Sequence, residues 1–357
     1  MVICIVQART GSSRFPGKVL MEICGKTLLE LELERIRYSK EIDRLAVATT
    51  YKKNDNVIED VCKKAGINCY RGNENDVLDR YYQAAAKAGG VSDDILVRIT
   101  GDCPLIDYEI IDSVICILKK TDLDYISNID PPTFPDGLDV EAFRFSALEK
   151  AWKEAILPSE REHVTPYIRI NKDLFKTSNY ANIDDLSGLR WTVDEKEDYE
   201  FVRIIYENLY DLTKGKFRMA DVLKFIDNNP QLLHINDKYK RNEGYEKSMQ
   251  ADKIIKDKNQ IQLKGEHLIL KRLLKVTDAY VKWLNDPEIN RYLESRFIKH
   301  SIESLQKYLD DINMHPDDYL YGIFLSDKHI GNIKLHINLH HKHGEIGYII
   351  GEKKYWN

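Results

Sequence analysis

Apolar positions in the first part of the chain come in short blocks separated by polar turns. Residues 2–6 form a short apolar run rich in β-branched side chains, the pattern of a buried strand. Leu28, Leu29, Leu31, Leu33 and Ile36 follow at near-helical spacing and predict an amphipathic helix. Residues 45–49 read as a second strand and 56–65 as a helix; 76–88 is another helix, stopped by Gly89 and Gly90. A third strand is expected over 95–99, with a helix over 108–119 after it. Strand and helix in regular alternation imply a parallel sheet covered on both faces. Ligands of such sheets bind beyond the carboxyl ends of the strands, so the segments after the first and third strands are the places to look.

The pattern changes near residue 261. Residues 266–273 alternate like a strand, and 278–284 and 301–312 read as helices, the second with Ser301 as N-cap. Residues 319–325, 330–337 and 344–350 read as strands, an α+β layout with an antiparallel sheet. The polar, weakly periodic stretch between the parts suggests domains at 1–245 and 261–357 joined by a linker at 246–260.

The length of 357 residues fits two or three domains, and a composition 43% hydrophobic and 31% charged excludes a disordered or fibrous chain. No apolar run approaches the ~20 residues that span a bilayer. The N-terminal MVICIVQART has no basic leader and no cleavage site, so it reads as a strand and not a signal peptide. A net charge of −5 leaves no footprint for nucleic acid but permits a local basic pocket. The six cysteines (Cys4, Cys24, Cys62, Cys69, Cys103, Cys116) include no CxxC pair and read as reduced, inert thiols of a cytoplasmic protein.

The segment after the first strand runs Gln7-Ala8-Arg9-Thr10-Gly11-Ser12-Ser13-Arg14-Phe15-Pro16-Gly17-Lys18. Glycines that let the backbone approach an anion, free amides, and Arg and Lys to neutralise charge suit a polyphosphate. It is not a Walker A loop: five residues separate Gly11 and Gly17 where four are required, and Val19 stands where a Ser or Thr would hold magnesium. Asp102 follows a buried strand and Gly101, and is a natural magnesium ligand opposite that loop. Helix capping falls better to Asp107.

Six blocks in order over about 200 residues make the first part resemble the cytidylyltransferase superfamily. They are the basic loop continued through Val19-Leu20 and Gly25–Leu29, Arg71-Gly72 with Asp76–Tyr81, Arg98–Asp107, Phe134–Glu141, Arg161–Tyr167, and Leu189–Asp194 with Glu197-Asp198. The branch most resembled is the spore-coat polysaccharide biosynthesis protein F type; the CMP-KDO and CMP-acylneuraminate synthetases are more distant. The resemblance implies an α/β, nucleotide-diphospho-sugar-transferase-like fold with a Rossmann-type mixed sheet. It implies transfer of CMP from CTP to an acidic sugar with release of pyrophosphate.

The resemblance also implies roles by position. Lys18, Arg14 and Asp102 would carry catalysis. Ala8, Arg9, Gly11, Ser12, Ser13, Arg14, Lys18 and Thr100 would line the nucleotide, with Arg71, Asp79 and Arg80 near its base and ribose. Mg2+ would be held by Asp102 and Asp194; Asp139 is the rival for the second carboxylate, and Asp139 and Glu141 could instead contact the sugar. Glu162 and His163 invite an acid–base reading, but a lone His near a helix start is more often structural, and the resemblance supports substrate binding there; His163 is not read as a metal ligand. Asp76, Asp79 and Arg80 also fit a plain charged helix face.

Residues 261–357 resemble the first half of the GNAT N-acetyltransferases through Leu268–Arg272, Trp283–Ile289, Ile330–Ile333 and Glu345–Tyr348. The loop that seats the acetyl-CoA pyrophosphate would begin after Tyr355-Trp356, so a partial GNAT-like domain without acetyltransferase activity is expected of this chain. His336, His340, His341 and His343 suit a strand end and turn better than a metal site, and Tyr319, Tyr321 and Phe324 suit strand packing. The expected partners are CTP and an acidic sugar of nonulosonic type for surface-glycan synthesis, with no nucleic acid and no membrane, and a homodimer as the commonest assembly. The alternatives are a glycosyltransferase using a nucleotide-sugar donor, and a non-catalytic nucleotide-binding scaffold.

Overall fold

Alternate residues of the first strand, β1 (Val2–Gln7), enter different cores: Val2, Cys4 and Val6 pack on one side, Ile3 and Ile5 on the other. Two-sided burial of this kind requires helices on both faces of the sheet, and a computed structural model of the chain has them. It describes residues 1–241, 243–260, 262–315, 317–338 and 341–356. The chain divides into one unit of Met1–Ala155 with Glu160–Tyr245, and another of Ile156–Ser159 with Glu246–Asn357.

In the first unit, β1 is followed by a two-stranded hairpin, β2 (Glu22–Ile23) and β3 (Lys26–Thr27), and then α1 (Leu28–Ile36). Thr27 and Glu30 close a capping box at the start of α1. Next come β4 (Arg44–Thr50), α2 (Asn56–Ala65), β5 (Asn68–Gly72), α3 (Val77–Lys87), β6 (Ile95–Thr100) and α4 (Tyr108–Lys120). Asp107 caps α4 by accepting the Glu109 N–H at 2.8 Å. The chain continues through β7 (Tyr125–Ser127), β8 (Glu141–Arg144), α5 (Phe145–Glu154), α6 (Pro158–His163), α7 (Pro166–Ile170), β9 (Thr177–Asn179), α8 (Lys196–Thr213) and α9 (Met219–Asp227). The sheet runs β5-β4-β1-β6-β8-β7-β9. Its first four strands are parallel, and β8 runs antiparallel to both neighbours, so the sheet is mixed.

The segment 246–260, read from sequence as a linker, lies within a helix, α10 (Glu243–Gln260). Glu, Lys, Gln and Ala are strong helix formers, and that propensity outweighs the weak periodicity. Asp252 on this helix is buried and accepts from both the backbone N–H and the hydroxyl of Ser159.

The second unit is an antiparallel sheet in the order β10 (Gln262–Lys264), β11 (Leu268–Arg272), β12 (Asp318–Leu325), β13 (Lys328–Asn338) and β14 (His343–Ile350). Helices α11 (Asp278–Asn285) and α12 (Ile302–Met314) supply Tyr280, Trp283, Leu284, Leu305 and Leu309 to its core. Ser301 is the N-cap of α12. Among the described residues no helix is long and apolar enough to cross a membrane.

Candidate functional site

Neighbouring strands β1 and β6 pair in register from Val2↔Ile95 to Gln7↔Thr100, so the segments that leave them start at the same height. The approach is close. A Cβ on Gly101 would lie 2.9 Å from the Cβ of Ala8 and 3.0 Å from the Gln7 carbonyl oxygen, and the Gly101 N–H donates to that oxygen at 2.8 Å. The basic loop beyond Ala8 folds back on itself. Gly17 donates to the Thr10 carbonyl at 2.9 Å and takes a φ of +73°, a left-handed conformation suited to glycine, which turns Lys18 inward. The buried Asp55 anchors the other end of the turn, accepting the Thr10 N–H and hydroxyl at 2.7 Å each and the Thr50 hydroxyl. Burial would raise the Asp55 carboxyl, but these donors hold it below its ordinary range.

Lys18 thereby places its ammonium between two carboxylates, 2.8 Å from Asp102 and 2.7 Å from Asp194. Burial works against the charged amine; Asp102 and Asp194 outweigh it and lift Lys18 above its ordinary range. Burial would likewise raise Asp102, but Lys18 draws it down to about 2. Behind them the carboxyl of Glu32 on α1 is wholly buried, and neither oxygen makes a hydrogen bond. Burial first, then the charge of Asp102, drive it well above the carboxylate range.

Asp194 reaches this point by packing and not by a strand. The segment 190–193 makes only a single bridge, Arg190 to Asp136. Cross-links hold it instead: Val193 N–H donates to the Asp102 carbonyl at 2.8 Å, and Thr192 Oγ1 to the same oxygen at 3.1 Å. Arg190 donates to both oxygens of the buried Asp198 at 2.9 and 3.0 Å. Arg14 pairs with Asp194 at 2.9 Å.

The carboxylate pair decides whether magnesium fits. Among the described residues no group of three or more His, Cys, Asp or Glu forms a metal cluster. Magnesium usually takes one or two protein carboxylates, with waters and substrate phosphate oxygens. Asp102 and Asp194, already converging on one cation, fit that open arrangement. Asp139 does not share the cation; its carboxylate is bound by Arg241.

These groups open onto a cavity of about 510 Å³ in the first unit. Its far wall carries Arg98, Glu141, His163, Thr165, Arg169 and Tyr245. Glu141 is buried and engaged by Arg98, Tyr125 and Thr165. Burial would raise its carboxyl, but Arg98 and Arg169 bring it down. His163 sits edge-on to Tyr245 with 5.2 Å between ring centres. Burial pushes its imidazole down to about 4, with Arg98 and Arg169 adding to the effect against Glu162, so the ring is neutral at pH 7.

The other residues singled out in the sequence lie around the loop. Arg9, Gly11 and Ser13 are exposed, and Ser12 accepts the Phe15 N–H at 3.3 Å. Thr100 Oγ1 and Cys103 Sγ are 3.4 Å apart. Arg71 holds the Thr50 and Lys52 carbonyls and the Asn56 side chain. Asp79 accepts from Trp152 at 2.9 Å, and exposed Glu162 stands 3.9 Å from His163. Arg80 is buried under Gly72, where a Cβ would lie 2.7 Å from its Cγ; burial, then the charge of Arg9, lower its guanidinium to about 10. Sequence reasoning missed Asp55, Glu32, Arg169 and Arg241. Only Asp55, at the start of a predicted helix, carried a local signal.

In the second unit His336 pairs with Asp318, its partner across the sheet, at 2.9 Å. His340 lies outside the described residues. All six cysteines are free.

The cytidylyltransferase family profile matches residues 3–224, and the acetyltransferase (GNAT) domain profile matches residues 267–357. An uncharacterized protein of Methanocaldococcus jannaschii is 43% identical over 237 residues, which cover 66% of this chain and 94% of that protein. Spore coat polysaccharide biosynthesis protein SpsF of Bacillus subtilis is 30% identical over 235 residues, covering 64% and 95%. The solved structure of a cytidylyltransferase from Leptospira borgpetersenii superposes with a TM-score of 0.61 at 37% identity, covering 65% of this chain and 96% of that one.

Proposed function

The chain belongs to the cytidylyltransferase family, and from that premise we propose that it transfers CMP from CTP to a hydroxyl of an acidic sugar. The observation that carries this reading is the Lys18 ammonium held between Asp102 and Asp194, two carboxylates that line a cavity also faced by Arg14 of the basic loop and by Arg98, Arg169 and Arg190. The sugar oxygen forms a bond to the α-phosphorus, the bond to the β-phosphate oxygen breaks, and pyrophosphate leaves with the electron pair; the hydroxyl proton passes to solvent. Such a reaction asks the protein mainly to position groups and stabilise charge.

Arg14 lines the cavity and Lys18 sits against Asp102 and Asp194, which line it; both would turn from their carboxylates to the β- and γ-phosphates. Arg9 and the exposed residues Gly11 and Ser13 would extend the same cradle. Asp102 and Asp194 would hold magnesium, which supplies charge neutralisation at the α-phosphate when bound. Similarity to the spore coat polysaccharide biosynthesis protein SpsF supports surface polysaccharide synthesis as the setting, and the adjoining GNAT domain suits acidic amino sugars of the nonulosonic type.

Thermal stabilisation by CTP, UTP, ATP, GTP and UDP- or GDP-sugars, each with magnesium, tests the reading. CTP at 100 times its Kd adds about 2.7 kcal/mol, and it alone should do so. Pyrophosphate release from CTP with an acidic sugar completes the test. Stabilisation by a nucleotide-sugar and not by CTP overturns it in favour of a glycosyltransferase.

A further inference from the structure

The family profile ends at residue 224, but the first unit runs on to Tyr245. Its last residues return to the main cavity, which Lys240, Glu243, Gly244 and Tyr245 line. Their approach is stitched to the segment that carries Asp194. The buried Asn236 donates to the Arg190 carbonyl and to Asp198 at 2.9 Å each, and Arg190 donates to the Lys240 carbonyl at 3.3 Å. Arg241 then pins the chain to the Phe134–Glu141 loop, donating to the Phe134 carbonyl at 3.1 Å and to Asp139. Just beyond, Glu243 accepts from Arg14 at 3.4 Å, and Tyr245 stands edge-on to His163. Arg14 belongs to the basic loop and His163 to the far wall, so this strap reaches from one side of the cavity to the other.

Three carboxylates share the Arg14 guanidinium: Asp194 at 2.9 Å, Glu243 at 3.4 Å and Glu195 at 3.7 Å. A triphosphate arriving on Arg14 needs the same N–H groups, since the fork that holds a carboxylate also holds a phosphate. The carboxylates then fare differently. Asp194 can turn to magnesium, and Glu195 already stands furthest off. Glu243 has Arg14 as its one ion-pair partner among the described residues. It would be left facing phosphate charge of its own sign.

We propose that Glu243 is a latch: in the empty enzyme it occupies on Arg14 the place that the triphosphate takes, and the triphosphate displaces it. The inference rests on the reading of Arg14 as a partner of the β- and γ-phosphates. Asn236 and Arg241 keep their own partners, so movement is confined to the chain beyond them. There Tyr245 parts from His163, and the cavity opens at its far wall. An exposed ion pair is weak, which suits a contact that must break in every cycle. When pyrophosphate departs, Arg14 recaptures Glu243, and the latch resets once per turnover.

Isothermal titration of CTP and of CMP, each with magnesium, into the full chain compares wild type with Glu243→Gln, Glu243→Asp and Glu246→Gln. Glu243→Gln should bind CTP about 2- to 5-fold more tightly, the size of an exposed ion pair. It should bind CMP as wild type does, since CMP has no β- or γ-phosphate to place on Arg14. Glu243→Asp keeps the charge and should fall between. Glu246→Gln removes an exposed charge about one turn further along α10 and should match wild type. Hydrogen exchange over residues 245–250 should quicken when CTP, but not CMP, is added to wild type, and should be quick in Glu243→Gln from the start. An unchanged Kd for CTP in Glu243→Gln, an equal gain for CMP or in Glu246→Gln, or exchange that CTP does not quicken overturns the latch while the CTP reading stands. A wild type that does not bind CTP sinks the CTP reading itself, and the latch with it.

Discussion

The Lys18 ammonium lies 2.8 Å from Oδ2 of Asp102, although the two residues are 84 positions apart and leave different strands. The contact depends on parallel pairing of β1 with β6, which brings both exits to one edge, and on the left-handed Gly17, which turns the lysine inward. Lys18→Ala should lower turnover at least about 100-fold, the usual loss when one group aimed at developing charge is removed. It also leaves Asp102 and Asp194 facing each other without their cation. Added magnesium should then raise the melting temperature of Lys18→Ala more than that of wild type, as differential scanning fluorimetry would read. Equal shifts would mean that the two carboxylates do not share a cation site.

Glu32 offers a test that needs no substrate. Its folded carboxyl titrates well above the ordinary value of 4.5 because of burial, then the charge of Asp102. Between those two pKa values the unfolded chain is ionised while the folded one keeps its proton, so stability falls as pH rises. Glu32→Gln removes the penalty. The variant should match wild type near pH 4 and gain on it progressively as pH rises above the ordinary carboxylate value. Urea unfolding at several pH values decides it; parallel stability profiles would show that Glu32 titrates normally.

Asp55 touches no part of the cavity wall, yet it holds Thr10 by both its N–H and its hydroxyl at 2.7 Å. Asp55→Ala should loosen the basic loop and raise the KM for CTP about tenfold, equivalent to ~1.4 kcal/mol, with the KM for sugar little changed. Asp55→Asn keeps one acceptor and should fall between. If both constants rise together, the loss is one of general stability and not of loop shape.

Gly137 is required by two features together. Its φ is +108°, and a Cβ there would stand 2.5 Å from the Thr192 nitrogen. Gly137→Ala should cost more than about 2 kcal/mol in denaturant unfolding. Since the segment it displaces carries Asp194, turnover should fall as well. A variant as stable as wild type would show that the Phe134–Glu141 loop does not press on residues 190–193.

The parts legible in the sequence were those governed by local signals. Val2, Ile3, Cys4, Ile5 and Val6 are an apolar block because both faces of β1 are covered, and α2 runs from Asn56 to Ala65 because its periodicity and Gly66 define both ends. The strands β7 and β9 escaped because each has three residues, and β9 is Thr-Ser-Asn, whose composition reads as turn. The candidate site divides the same way. Lys18 and Asp102 lie in the segments that follow predicted strands, where α/β logic points. Arg169 and Arg241 owe their places to contacts with no sequence spacing: the Tyr245 ring beneath Arg169, and Asp139, 102 positions from Arg241.

The exits of β1 and β6 place Lys18 and Asp102 side by side, because the Gly101 N–H donates to the Gln7 carbonyl and no Cβ fits between Gly101 and Ala8. Arg169 and its neighbours come from α7, β9 and the loop before Pro132, none of which pairs directly with β1 or β6. Changes there leave the β1–β6 register intact. A lineage can thus exchange one acceptor for another by rewriting a few residues of the far wall while its nucleotide chemistry is inherited whole, and an engineer can do the same.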